Sequence, residues 1–185
     1  MISAGDFKNG VTFEMDGSVM QIVEFQHVKP GKGAAFVRAK IKNIITGTIV
    51  ERSFNPNEKF KTAFVERKIM QYSYNEGDLY YFMDVESYEM TPIAKQMIGE
   101  NHKFLKEDME VKVLAFKGKI FGVELPNFVE LKVQYTDVGV KGNTATNATK
   151  FAELETGAKI KVPLFIETGE VIRIDTRTGQ YMERA

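Results

Sequence analysis

The sequence of 185 residues contains no cysteine and no tryptophan, and it has only two histidines. The absence of cysteine excludes disulfides, thiolate metal sites and cysteine nucleophiles. No apolar stretch approaches the ~18 residues needed to cross a bilayer, and the N-terminus lacks the basic start and apolar core of a secretion signal. We therefore expect a cytoplasmic protein without a membrane partner.

The whole chain also has no excess of positive or negative charge, because its 25 basic residues balance its 25 acidic ones. The balance varies along the sequence. Residues 1–64 hold nine Lys and Arg against six Asp and Glu, and residues 65–128 hold eight against eleven. No acidic residue lies between Glu24 and Glu51, where five basic residues fall. The charge signal is therefore local, a basic patch near the N-terminus.

Short alternating segments separated by glycine-containing turns predict an all-β chain. Asp16-Gly17 between two β-rich arms is a typical two-residue hairpin turn, and similar turns recur at residues 45–49, 74–82, 116–121, 166–172 and 175–181. One short helix is predicted, with Thr91 as its N-cap, Pro92 at its first position and Gly99 at its end. Strands this short favour small barrels.

Three small domains divide the length well, at residues 1–64, 65–128 and 129–185. A weak internal repeat favours these boundaries, since FVERKIMQY beginning at Phe64 resembles FVELKVQY beginning at Phe128. Small barrels without tryptophan need other large apolar side chains, so we expect most of the 14 Phe and 7 Tyr in their cores.

A proline and glycine loop lies in the basic patch. Lys29, Pro30, Gly31 and Lys32 fit a type II turn, in which proline fixes φ at the second position and Gly31 takes the positive φ of the third. With Gly33 following, Lys32 has no neighbouring side chain to pack on and is predicted to project outward. The spacing of a Walker phosphate loop is absent. An ordinary solvated hairpin turn is the alternative interpretation.

The strand after this loop alternates between apolar and basic side chains. Its inner side is predicted to hold Val37, Ala39 and Ile41. Its outer side carries the basic stripe, defined as Arg38, Lys40 and Lys42. On a sheet edge this stripe is able to follow phosphates, and a plain solvated strand face is the alternative.

The sequence contains little that resembles a catalytic or metal-binding motif. His27 and His102 fall in different predicted domains, and neither a nucleophile motif nor a paired-carboxylate motif appears. His27 is better explained by packing or hydrogen bonding than by acid–base chemistry. We therefore expect no enzyme activity, no metal site and no cofactor.

Three stretches together resemble one known family: KPGKGAAF at residues 29–36, KFAELETGAKIKVPLFIETG at residues 150–169 and IRIDTRTGQYMER at residues 172–184. From end to end the chain resembles bacterial translation elongation factor P. The resemblance implies an L-shaped, tRNA-mimicking molecule, with an SH3-like or KOW-like N-terminal barrel followed by two OB-fold barrels.

The resemblance also implies a function. The family binds the 70S ribosome between the peptidyl and exit sites, beside the peptidyl-tRNA, and promotes peptide bond formation where consecutive prolines stall synthesis. Lys32 matches the lysine that a modifying enzyme extends, so that residues 29–33 form the modification loop. We expect a monomer that forms no covalent bond itself.

Further RNA contacts follow from the same resemblance. Many relatives have Gly-Asp-Thr in a C-terminal loop near the exit-site codon, where this chain has Gly142, Asn143 and Thr144. Asparagine keeps the size and hydrogen-bonding capacity of aspartate without its charge. Tyr181 and Arg184 match late positions that face RNA. The competing interpretation is an OB-fold protein that binds single-stranded nucleic acid, which the net −3 charge of residues 65–128 disfavours.

Overall fold

The computed structural model of the protein describes residues 1–139 and 148–185. These residues form four β-sheets with very little helix, which confirms the all-β prediction. The chain divides into two compact units. The first contains Met1–Arg67 and Leu114–Gly122, and the second contains Lys68–Val113 and Val123–Ala185. The three predicted domains, with boundaries near residues 64 and 128, stay a prediction.

The N-terminal strands form a four-stranded sheet in the order β2-β3-β4-β5 and a small pair, β1-β6. Their bounds are β1 Ile2–Ser3, β2 Thr12–Met15, β3 Ser18–Val28, β4 Phe36–Asn43, β5 Ile49–Phe54 and β6 Lys59–Phe60. The core between them is rich in phenylalanine. Phe7 and Phe13 are stacked with their ring centroids 5.0 Å apart, and Phe54 meets Phe7 edge-on. Such aromatic pairs fill a small barrel efficiently, because each ring buries a large apolar area.

The predicted hairpin turn at Asp16-Gly17 is confirmed. It joins β2 to β3, and both residues have positive φ, 51° for Asp16 and 75° for Gly17. Two consecutive positive φ angles match the twist of the flanking strands, which is why this dipeptide is favoured in two-residue turns.

The middle of the chain forms a five-stranded sheet in the order β11-β10-β7-β8-β9. Its strands are β7 Glu66–Glu76, β8 Leu79–Asp84, β9 Met90–Ala94, β10 Glu110–Phe116 and β11 Lys119–Glu124. After β9 come a single helical turn, α1 Lys95–Ile98, and a 3-10 helix, Gly99–Phe104.

The predicted start of the helix is wrong. Thr91 and Pro92 lie in β9, opposite Phe82 and Tyr81 of β8, and the helix begins only after Ala94. Pro92 is tolerated because β9 is the outermost strand of its sheet, where a missing N–H costs no ladder hydrogen bond. Gly99 does follow the helical turn, with a φ of 76°.

The C-terminal strands form a second five-stranded sheet, in the order β14-β13-β12-β15-β16. Their bounds are β12 Phe128–Thr136, β13 Thr149–Leu154, β14 Lys159–Pro163, β15 Val171–Asp175 and β16 Gln180–Arg184. The core under this sheet is aliphatic, and its fully buried side chains include Leu131, Leu154, Ile166, Ile172 and Ile174.

Side chains also join the middle and C-terminal sheets inside the second unit. The hydroxyl of Thr156 donates to the backbone carbonyl of Lys103, and that of Thr176 donates to the carbonyl of Pro126 at 2.6 Å. Lys106 Nζ lies 3.2 Å from Glu155 Oε1. The two sheets are therefore held together by polar contacts in addition to the connecting chain.

The expectation that most aromatic side chains lie in the cores is wrong. The chain has 14 Phe and 7 Tyr residues. Seven of these aromatic side chains are buried, seven are exposed, and the others are half-buried. The C-terminal core is filled by Ile, Leu and Val instead, so several aromatic rings of that region are left at the surface.

Candidate functional site

The predicted modification loop connects β3 to β4 at residues 29–35, and every residue in it is exposed. The paired strands on either side fix its base, because Val28 is opposite Phe36 at the last position of the ladder. Lys32 lies at the middle of the loop. Among the described residues it forms no ion pair or side-chain hydrogen bond, so its amine is available to an external group.

The backbone of this loop differs from the predicted type II turn. A type II turn over residues 29–32 requires a positive φ at Gly31. In this loop the positive φ is instead at Gly33, where it is 114°. A β-carbon at Gly33 would lie 3.7 Å from Cγ of Pro30, so the proline ring reaches across the loop toward Gly33. The ladder beneath ends with Val28 and Phe36, too far apart in sequence for a four-residue turn to join them. The loop is therefore a wide exposed arch.

The predicted alternation in β4 is confirmed. Val37, Ala39 and Ile41 are buried in the N-terminal core. Arg38 and Lys40 are exposed on the opposite side, and Lys42 is half-buried. One side of the strand therefore contributes to the core while the other carries the basic stripe.

Two glutamates compensate part of this stripe. Lys40 Nζ is 2.8 Å from Glu24 Oε2 on β3, and Arg38 Nε is 3.7 Å from Glu51 Oε1 on β5. In sequence these two glutamates mark the ends of the acid-free span, but the antiparallel ladder places them on both sides of the stripe. The sequence analysis missed this pairing, which the register of the two hairpins would have indicated.

The ion pair affects both of its partners. The hydrogen bond and the charge of Lys40 lower the pKa of the Glu24 carboxyl, and the same contact raises the pKa of the Lys40 amine. Both groups are therefore charged at neutral pH. Together with Phe25, Gln26, Arg38 and Glu51, they line a shallow depression of about 300 Å³.

His27 is exposed at the base of the loop. Its ring meets Phe25 edge-on, with the centroids 5.7 Å apart. This contact is consistent with the interpretation of His27 as a packing residue.

The C-terminal site residues lie on β16, where Arg184 makes three contacts with two residues. Its guanidinium donates to the carbonyl of Phe165, lies 4.6 Å from the Phe165 ring centroid and pairs with Glu170 at 3.3 Å. Tyr181 is half-buried, and burial raises its pKa. Gly142, Asn143 and Thr144 lie outside the described residues.

Residues 1–139 and 148–185 contain no group of three His, Asp or Glu side chains that is able to hold a metal ion. None of their helices is both long and apolar enough to cross a membrane.

Three family models match the sequence in consecutive segments. Residues 3–60 match the KOW-like domain of elongation factor P, residues 65–123 match its OB domain, and residues 129–184 match its C-terminal domain.

Relatives agree over the full length. The chain is 65% identical to elongation factor P of Acetivibrio thermocellus over 184 residues, which cover 100% of both proteins. It is 66% identical to elongation factor P of Ruminiclostridium cellulolyticum, with 100% of this chain and 99% of the relative covered.

The fold of the chain is also similar to that of a solved structure. The eukaryotic translation initiation factor 5A from Methanococcus jannaschii has 27% identity and a TM-score of 0.53, over 66% of this chain and 94% of that one. The fold and the matches together define a translation factor made of a KOW-like domain and OB-type domains. The chain belongs to the elongation factor P family, and it is a translation elongation factor.

Proposed function

We propose that this elongation factor binds the 70S ribosome between the peptidyl and exit sites, where it promotes peptide bond formation and relieves stalling at consecutive prolines. The observation that carries the proposal is Lys32, which has no partner among the described residues and lies in the middle of an exposed arch whose base is fixed by the paired ends of β3 and β4. The family resemblance aligns this residue with the modified lysine.

Positioning explains how such a factor acts without forming a bond. The ring of proline fixes φ and makes it a constrained nucleophile, so the reacting groups are poorly aligned. Holding reactants in a productive geometry removes a large part of the entropic barrier to reaction. An extended Lys32 reaches the acceptor end of the peptidyl-tRNA and holds it through phosphate and ribose contacts.

The loop geometry suits a post-translational extension of Lys32. Its amine has no partner among the described residues, and the surrounding loop is exposed, so an enzyme is able to reach it. The proposed function implies three partners, which are peptidyl-tRNA, the ribosome and a lysine-modifying enzyme. The factor acts as a monomer in the cytoplasm, where translation takes place.

The basic stripe supplies a second contact to tRNA. Arg38 and Lys40 share their charge with Glu51 and Glu24, so the stripe is weaker than its sequence suggests. Lys42 has no ion pair among the described residues. Tyr181, Arg184 and residues 142–144 are proposed as contacts at the other end of the chain.

A reconstituted translation system tests this function. Two reporters are synthesised, one with three consecutive prolines and one without, with and without factor purified from its native host. We expect the factor to raise synthesis of the proline reporter and to leave the other unchanged. An equal effect on both reporters would instead indicate a general role in translation, and no effect on either would contradict the proposal.

A further inference from the structure

The outer side of β7, β8 and β9 is apolar, although it faces solvent. Three rows of paired residues cross these strands, and we call their nine positions the outer face: Gln71, Met83 and Met90; Tyr74, Tyr81 and Pro92; Glu76, Leu79 and Ala94. Seven of the nine are apolar or aromatic. None of the nine is basic.

Two tyrosines form the centre of this face. The rings of Tyr74 and Tyr81 are stacked, with centroids 4.7 Å apart and an angle of 14° between their planes. Tyr74 is 50% exposed. A bulge in β7 between Tyr72 and Tyr74 turns Tyr74 outward while Tyr72 remains in the core. The local backbone therefore presents an aromatic pair that the simple alternation of a strand would not place there.

The opposite side of the same strands is a normal core. Tyr80 and Phe82 of β8 and Ile93 of β9 point inward and are buried. An antiparallel strand with one solvated side usually alternates apolar with polar residues, whereas residues 79–83 of β8 are apolar or aromatic on both sides. Strands of this composition are typical of sheets that are covered on both sides. Contiguous exposed apolar area of this kind marks an interaction surface.

The charges around the outer face select among partners. Glu76 lies on the face, Asp78 lies in the turn between β7 and β8, and Glu86 and Glu89 lie in the turn between β8 and β9; all four are exposed. An exposed lysine, Lys95, follows Ala94, so the surroundings of the face are mainly acidic. RNA requires cations to neutralise its phosphates, and the face has none. A second copy of the chain would bring two acidic rims together, which is unfavourable.

We propose that the outer face docks a protein whose contact surface is apolar at its centre and basic at its rim. Stacked tyrosines are rigid and amphipathic, and such residues commonly anchor protein interfaces. The inference deepens the proposed function and rests on it, because the partner is a protein component of the ribosome that the factor meets when it binds.

A charge comparison at one position tests the chemistry of the partner. Met90 is exposed at a corner of the face, on the outermost strand. Met90→Lys and Met90→Glu remove the same apolar group but add opposite charges. In sedimentation with salt-washed 70S ribosomes, we expect Met90→Lys to weaken binding at least tenfold and Met90→Glu clearly less. A larger loss for Met90→Glu would overturn the proposal in favour of an RNA contact.

A control variant separates the face from exposed tyrosines in general. Tyr88 lies in the turn beside the face, is 71% exposed and has a φ of 62°. Tyr88→Asn removes the tyrosine but introduces a residue that tolerates this positive φ, so the variant should bind 70S ribosomes as tightly as the wild type does. Tyr81→Ser should weaken binding at least tenfold, with circular dichroism confirming the fold. If Tyr81→Ser and both Met90 variants bind as tightly as Tyr88→Asn, the outer face is not a contact.

Photocrosslinking identifies what covers the face. Full-length factor carrying p-benzoylphenylalanine at position 81 is bound to 70S ribosomes and irradiated. We expect a protease-sensitive adduct with one basic ribosomal protein. A nuclease-sensitive adduct, or none while the labelled factor still sediments, would overturn this inference and leave the proposed function standing. Failure of the wild-type factor to sediment with ribosomes would overturn both.

Discussion

Lys40 and Glu24 lie directly opposite each other on β4 and β3, and Lys40 Nζ is 2.8 Å from Glu24 Oε2. Sixteen positions separate them in the sequence. The contact turns part of an apparently unopposed basic stripe into an exposed ion pair. Exposed pairs of this kind contribute little to stability, so the main consequence of the contact concerns the charge that is available to RNA.

We predict that the basic stripe contributes to the ionic part of ribosome binding. Replacement of Arg38, Lys40 and Lys42 by Gln should weaken binding and flatten its dependence on salt, by about 0.9 in log–log slope for each phosphate that is no longer neutralised. Ribosome affinity measured over a series of salt concentrations checks this. Unchanged affinity and slope would show that the stripe is only a solvated strand face.

Glu24→Gln should have the opposite effect. It leaves Lys40 without its carboxylate partner, so binding should become tighter and more dependent on salt. Glu58→Gln is the matched control, since Glu58 is an exposed residue of the same region that forms no ion pair within the described part of the chain. Equal effects of the two substitutions would mean that net charge alone, and not the release of Lys40, determines affinity.

Lys32 should act through reach rather than through its charge. Lys32→Ala should leave the free energy of unfolding within ~0.5 kcal/mol of wild type, because the side chain is exposed and has no partner among the described residues. It should nevertheless abolish rescue of the triple-proline reporter. Lys32→Arg should fail as well, since a guanidinium has a different shape and does not accept an amine-linked extension.

Lys29→Ala is the matched control for this loop and should affect synthesis less. Intact-mass spectrometry of factor purified from its native host measures any group added at Lys32. Rescue of the proline reporter by Lys32→Ala at the wild-type rate would refute the role assigned to this residue.

The buried carboxyl of Asp84 should stabilise the middle sheet in a pH-dependent way. It pairs with Lys68 and accepts backbone N–H groups from Glu86 and Ser87, and these contacts lower its pKa from 3.8 to about 2. Because the folded protein favours the ionised form, this stabilisation is complete above the ordinary pKa and is lost as the pH falls toward about 2.

Thermal unfolding of wild type and Asp84→Asn between pH 7 and pH 2 checks this prediction. We expect the wild type to have the higher melting temperature at neutral pH, and the difference to shrink below about pH 4. A difference that stays constant down to pH 2 would show that the carboxylate charge is not the source of the stability.

The predicted boundary near residue 64 is testable with fragments. Residues 1–64 contain the whole N-terminal core and should unfold cooperatively, with marginal stability because a domain near 60 residues buries little surface. The fragment lacks Leu114–Gly122, which belongs to the same compact unit and contains Lys117, whose Nζ lies 3.5 Å from Oε1 of Glu14. If residues 1–64 show no cooperative transition while residues 1–128 do, the boundary is misplaced or the first two domains form one folding unit.

Features that depend on neighbouring residues follow from the sequence alone. Asp16-Gly17 specified its turn because few residues adopt two successive positive φ angles. The alternation of β4 specified which side chains enter the core, because successive residues of a strand point to opposite sides. The three motif stretches were sufficient to indicate the family, since each is a run of adjacent residues and together they extend from the N-terminal loop to the last strand.

Features that depend on strand pairing were set by the folded chain. Local signals at Thr91 and Pro92 favoured a helix start, but pairing with β8 and burial of Ile93 made this segment an outer strand. The register of β3, β4 and β5 brought Glu24 and Glu51 to the basic stripe, and a bulge in β7 turned Tyr74 outward to stack on Tyr81. Partners in a sheet are distant in sequence, so patterns among adjacent residues do not contain them.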